Sequence, residues 1–171
     1  AARREGKAQA MRELESIALD AAPGNPLVLK DLYLQRKWLA RYGGAMYGLT
    51  DFDAESAATK LAPEYTDADL KTMWEGTEFS SSRMLTDVLT QDFSVYTTFD
   101  CPIVIFNGRH DYNVSSSATA EWFAKVRAPS KQLVWFENSA HEMFNEEPGK
   151  TLISLVRYAR PFAEKAGDVA P

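Results

Sequence analysis

The 171 residues carry 24 Asp and Glu against 19 Lys and Arg, a formal charge of −5, and 45% of them are hydrophobic. That content suits one core-forming domain and is too apolar for a disordered chain, while the acidic balance argues against nucleic acid as a partner, because phosphate binding needs clustered Lys and Arg. The single cysteine, Cys101, excludes an internal disulfide and a cysteine metal cluster, and no run reaches the ~20 apolar residues of a membrane span. Cys101 precedes Pro102 and an apolar run, where a buried, inert thiol is expected. The start has no signal-peptide core and no initiator Met. The compartment is therefore left open, with the cytoplasm as the default expectation.

Residues 1–92 read as helical. Arg3, Arg4, Lys7 and Arg12 alternate with Glu5, Glu13 and Glu15, the pattern of a solvated helix face. Asn25-Pro26 reads as N-cap and first helical residue. The helix it opens carries Val28, Leu32, Leu39 and Tyr42 and is stopped by Gly43-Gly44. A Thr66-x-x-Asp69 capping box opens another helix, with Leu70, Met73 and Trp74 on one face and Gly76 as its end. Ser81 or Ser82 then caps a further short helix bearing Met84, Leu85, Val88 and Leu89. Four short helices broken by Gly, Pro and Ser suit a lid better than a compact bundle.

From Phe93 the pattern changes. Ile103-Val104-Ile105-Phe106 and Leu133-Val134-Trp135-Phe136 are apolar on both faces, as parallel strands covered on both sides are. Between them Thr119, Trp122, Phe123 and Val126 follow at helical spacing, and Asn113–Ser117 supplies a turn and N-cap. Pro148 opens a last helix with Leu152, Leu155, Val156 and Ala159 on its inner face; Pro161 limits it, and the end from Lys165 reads as frayed. Strand, helix, strand, helix is a βαβ unit plus one helix. Two parallel strands leave an unpaired edge each. Burying each large apolar side chain is worth roughly 1.5–3 kcal/mol, available only if further strands cover these. The chain is thus expected to need the rest of its sheet, from the same polypeptide or a partner.

Two segments carry chemistry. Phe106-Asn107-Gly108-Arg109-His110-Asp111 places Asp111 just past the first strand, and Phe136-Glu137-Asn138-Ser139-Ala140-His141 places His141 just past the second. Ligands of α/β folds gather at such strand ends, and adjacent strands bring the two residues close. An Asp that accepts a hydrogen bond from His fixes its tautomer and stabilises the imidazolium formed when the His takes a proton. That order, Asp then His, matches the last two members of a Ser…Asp…His triad. No Gly-x-Ser-x-Gly occurs in the chain. Ser139 lies on the His loop without a strand-to-helix elbow and is a poor nucleophile candidate. His110 reads as structural, and a metal site from His110, Asp111, His141 and Glu142 lacks the usual ligand spacing.

At these residues the chain resembles the α/β-hydrolase superfamily, in its proline-iminopeptidase-like branch. The resemblance is carried by Gly108-Arg109-His110-Asp111-Tyr112-Asn113, Ala128-Pro129-Ser130-Lys131, Trp135-Phe136-Glu137-Asn138-Ser139-Ala140-His141 and Phe144-Asn145-Glu146-Glu147-Pro148. It covers the last ~75 residues. The helical half, with Trp38-Leu39 and Tyr42-Gly43-Gly44, is similar to the cap such enzymes insert before their final core strands. The resemblance implies an α/β fold: a helical cap over 1–92 and the C-terminal part of the core over 93–171. It also implies a serine hydrolase that needs no cofactor, with Asp111 as orienting acid and His141 as general base. The Ser and oxyanion hole would lie in the N-terminal half of the core, outside this chain, and the chain alone would be inactive. Substrates implied are small peptides, amides or esters, including N-terminal amino acids. In some relatives an acidic residue directly after the triad Asp helps hold the free amine; here that position is Tyr112. Glu75 and Glu78 are cap acids able to hold an ammonium group, and Trp38, Tyr42, Tyr47, Trp74 and Phe79 are candidates for an apolar substrate pocket. Glu147, before Pro148, reads as a helix N-terminal acid.

Two further readings stay open. One is a hydrolase-like module that binds a ligand or partner through the cap without catalysis. The other keeps the fold but uses an Asp nucleophile, as dehalogenase- and epoxide-hydrolase-like relatives do.

Overall fold

The computed structural model describes residues 2–17 and 29–168; the helix start read at Asn25-Pro26, and Val28, lie outside them. The described residues divide into two compact units, those up to 42 together with 50–92, and 43–49 together with those from 93 on.

The first unit is helical: α1 (Ala8–Glu15), α2 (Leu29–Arg41), α3 (Asp53–Leu61) and α4 (Asp67–Thr90). Helices α1 and α2 meet around Glu13. Its Oε2 accepts from Lys37 Nζ at 2.9 Å and Trp38 Nε1 at 2.8 Å, and its Oε1 from Gln9 Nε2 at 2.7 Å. Glu13 is therefore a bridge between helices rather than part of a solvated face. These donors, Lys37 first, hold its carboxyl at about 2, against an ordinary 4.5. The capping box at α4 forms as read: Thr66 Oγ1 accepts from the Asp69 amide at 3.2 Å and Asp69 Oδ2 from the Thr66 amide at 2.9 Å.

This half departs from its sequence pattern at two residues. Gly76 does not end the helix; α4 runs unbroken for 24 residues. A mid-helix Gly costs only about 1 kcal/mol relative to Ala, too little to stop a well-capped helix. Ser82 caps nothing either: its hydroxyl donates back to the Phe79 carbonyl at 3.0 Å, as Thr77 does to Met73 at 2.9 Å, the bonding hydroxyls adopt inside helices.

The second unit is α/β. Strands β1 (Ile103–Gly108) and β2 (Lys131–Phe136) pair in parallel, Ile103 opposite Lys131 through Gly108 opposite Phe136. The crossover is α5 (Ser116–Lys125), capped by Ser115, whose Oγ accepts from the Ala118 amide; its Phe123 and the following Val126 are buried. After β2 come α6 (Met143–Glu146), α7 (Pro148–Tyr158) and α8 (Arg160–Ala166). Pro161 sits in the first turn of α8 and separates it from α7. The segment from Lys165 is not frayed at its start: α8 continues to Ala166 and closes on Gly167 in the left-handed conformation, φ 75°.

The apolar faces are less covered than the sequence suggests. Ile103–Phe106 and Gln132–Trp135 are half-buried, because the sheet has two strands among the described residues. On α7 the expected inner face is exposed, Leu152 at 63% and Val156 at 47%, and the buried residue is Ser154. Cys101 is exposed in the bend before β1 rather than buried, since the strand and its burial begin two residues later.

Candidate active site

The site forms where β1 and β2 end side by side. Beyond the ladder the two exits stay joined: the Arg109 amide donates to the Phe136 carbonyl at 2.8 Å and the His110 amide to the Ser139 carbonyl at 2.9 Å. Gly108 is the residue that permits this. A Cβ there would overlap the Ala140 carbonyl oxygen and lie 2.8 Å from that of Ser139. The start of α5 fixes the Asp111 turn from the other side. Ser116 Oγ donates to the Gly108 carbonyl at 2.7 Å, and the buried Asn107 side chain donates to the Ser116 carbonyl at 3.0 Å.

Asp111 is buried, at 5% exposure. Its Oδ1 accepts from the Asn113 and Val114 amides at 2.8 and 3.0 Å. Its Oδ2 lies 2.9 Å from His141 Nδ1, with the imidazole 38% exposed. A carboxylate only accepts, so the shared proton sits on Nδ1 and the lone pair of neutral His141 on Nε2. The pair can therefore take a proton at Nε2 and hold the resulting imidazolium against a fixed anion.

The His141 turn is braced by residues that follow it. Glu147 Oε2 accepts from the Asn138 amide at 3.1 Å and from Ser139 Oγ at 2.8 Å. Glu147 caps α7 by position, yet its carboxylate is spent on the turn rather than on that helix's own amides. Ser139 is fully buried with its hydroxyl donated to Glu147, which makes it part of the scaffold. Glu146 Oε2 accepts from the Ala140 amide at 3.0 Å. A short strap, residues 43–49, crosses both turns: the Gly44 carbonyl accepts from the Tyr112 amide and the Ala45 carbonyl from the His141 amide, each at 3.0 Å. His110 stacks on Tyr47 of this strap, centroids 4.4 Å apart. The strap escaped sequence reasoning because it contributes backbone carbonyls, which residue identity does not advertise; Ser116 and Asn107 did because their side chains bond to backbone carbonyls eight and nine residues away.

Beside the site, Arg109 lies 3.7 Å over the Trp135 ring and forms a fork with Glu137 at 2.9 and 2.8 Å. That fork lowers the Glu137 carboxyl and raises the Arg109 guanidinium from their ordinary values.

The remaining candidates fall in both units. Tyr112 is 70% exposed, with only its amide tied to the strap. Trp38, Tyr42, Trp74, Glu75 and Glu78 belong to the helical unit. Trp38 and Tyr42 stack at 6.0 Å, and Trp38 lines a pocket of about 390 Å³ with Lys37, Arg41 and Phe52. Trp74 and Phe79 stand exposed on α4; Glu75 pairs with Lys71 at 3.5 Å and Glu78 is exposed. Among the described residues no group of three His, Cys, Asp or Glu could hold a metal ion, and no helix is long and apolar enough to cross a membrane.

No family model matches the chain, and no solved structure matches it. A curated protein of Bacillus subtilis (strain 168), named probable aminopeptidase YbaC, is 33% identical over 100 residues, 57% of this chain. The match spans 31% of that protein's length.

Proposed function

We propose that this chain is the cap and C-terminal core of an α/β-hydrolase that cleaves small amide or ester substrates, including an N-terminal amino acid from peptides. The observation that carries the reading is the 2.9 Å bond between Asp111 and His141 at the ends of adjacent parallel strands. The similarity to a protein named an aminopeptidase supports a peptide-like substrate.

In this reading residues 93–171 supply the acid and base, residues 1–92 the cap, and the nucleophilic Ser and oxyanion amides come from outside this chain. His141 Nε2 takes the Ser hydroxyl proton as the oxygen attacks the substrate carbonyl. Asp111 holds the imidazolium. His141 then returns the proton to the leaving amine or alcohol as the tetrahedral intermediate collapses to an acyl-enzyme. Water repeats the cycle, giving up its proton to His141 and releasing the acid. The half-buried strands accept the remaining sheet.

The test is to treat the full-length protein with a fluorophosphonate and map the adduct by mass spectrometry, alongside hydrolysis of aminoacyl arylamides and short-chain esters. A serine adduct that abolishes hydrolysis supports the reading. Hydrolysis that persists with no serine modified overturns it.

A further inference from the structure

Glu146 occupies a position that the acid–base reading does not require. Both of its carboxylate oxygens are spent on backbone amides, and the amides come from different segments. Oε1 accepts from the Tyr47 amide of the strap, and Oε2 accepts from the Ala140 amide in the turn before His141. The strap in turn holds the His141 amide through the Ala45 carbonyl and the Tyr112 amide, next to Asp111, through the Gly44 carbonyl. One carboxylate thus closes a ring of contacts that includes the strap, the His141 turn and the Asp111 turn. Glu146 itself is anchored by α6, its amide donating to the Glu142 carbonyl at 2.9 Å. Ala140 is fully buried, so its amide depends on the Glu146 oxygen as its acceptor. Glu147 braces the same turn but does not reach the strap.

We infer that Glu146 is a positioning residue for the Asp111–His141 pair: it clamps the strap at Tyr47 to the His141 turn at Ala140 and so sets where the imidazole stands. The inference rests on the acid–base reading of that pair. The two amides bind different oxygens of one side chain; a carboxylate accepts at both positions, whereas a carboxamide accepts at one and presents an NH₂ at the other. In Glu146→Gln one oxygen becomes an NH₂ facing an N–H, with volume unchanged. A misplacement on the order of 1 Å at a reacting group costs up to about 100-fold.

The experiment uses the full-length protein, with steady-state kinetics on its best aminoacyl arylamide or ester. We expect Glu146→Gln to lower kcat roughly 10- to 100-fold, with KM within about twofold because Glu146 touches no substrate. Glu146→Asp, which keeps both acceptors on a shorter stem, recovers part of that loss. The downfield proton resonance of the His141 Nδ1–H bond moves or broadens in Glu146→Gln and returns in Glu146→Asp. Wild-type kcat and an unmoved resonance in Glu146→Gln, while His141→Ala is inactive, overturn the inference and leave the acid–base reading standing. Full activity in His141→Ala overturns both. Amide exchange in the wild type tests the clamp without any variant: the Tyr47 and Ala140 amides should be protected together, and unprotected exchange at either overturns it.

Discussion

The backbone of Ala140 fills the space that a side chain on Gly108 would occupy. Its carbonyl oxygen overlaps the Cβ position, and that of Ser139 lies 2.8 Å from it. The cause is the pairing past the strand ends, where Arg109 and His110 amides bind the carbonyls of Phe136 and Ser139. Gly108 is needed for space, not for an unusual backbone angle, since its φ is not positive.

Gly108→Ala is therefore expected to destabilise the α/β unit by about 1–3 kcal/mol, the usual cost of overpacking against groups that cannot rotate away, and to separate Asp111 from His141. Gly76→Ala is the opposite case. A Cβ there meets nothing within 4 Å, and the substitution should stabilise α4 by about 1 kcal/mol. Denaturant midpoints of both variants check this; an unchanged midpoint for Gly108→Ala would show that the strand exits do not pack this closely.

Asp111→Asn should leave the fold intact and remove most of the activity. The amide oxygen can still accept from Asn113 and Val114, which bond Oδ1 at 2.8 and 3.0 Å. The NH₂ then faces His141 Nδ1 and forces the proton onto Nε2, the atom that must accept. The comparable change in a serine-protease triad lowers turnover by about 10⁴. Steady-state kinetics with a circular dichroism spectrum separates the two effects, and a loss below about tenfold speaks against the acid–base role.

The helical unit should lose stability at low pH through Glu13. Its carboxyl is lowered from 4.5 to about 2 by Lys37, Gln9 and Trp38. A depressed carboxyl stabilises the folded state above the unfolded value and loses that contribution as pH falls through the folded one. The loss thus spans about pH 4.5 down to about 2. Glu13→Gln should flatten that part of the profile. Thermal melts of both proteins between those limits provide the check, and parallel profiles would contradict the bridge.

Local signals were legible where one residue governs one contact. The Thr66–Asp69 box, the Ser115 region before α5, the two apolar strands and the break at Pro161 all follow from residue type and spacing. Asp111 and His141 stand out because each lies in the turn just past a strand, and parallel register then brings strand ends together. Gly76 and Ser82 have the residue types of a helix stop and a cap, but a capped helix of 24 residues absorbs the small local cost. Glu13 looked like one of several surface charges because its partners lie 24 and 25 residues away. Leu152 and Val156 of α7 follow an apolar pattern that the described residues cover only in part, at 63% and 47% exposure. The strap at Gly44 and Ala45 contributes carbonyl oxygens, which every sequence has.

The most direct test of the account is kcat/KM of His141→Ala in the full-length protein, measured on the substrate that the wild type cleaves best. The expected result is a fall of roughly 10⁴-fold or more, as when the general base of such a triad is removed, with binding of a non-hydrolysable analogue retained. A variant that keeps kcat/KM within about tenfold of wild type would contradict it, because the 2.9 Å bond to Asp111 would then be a structural contact only.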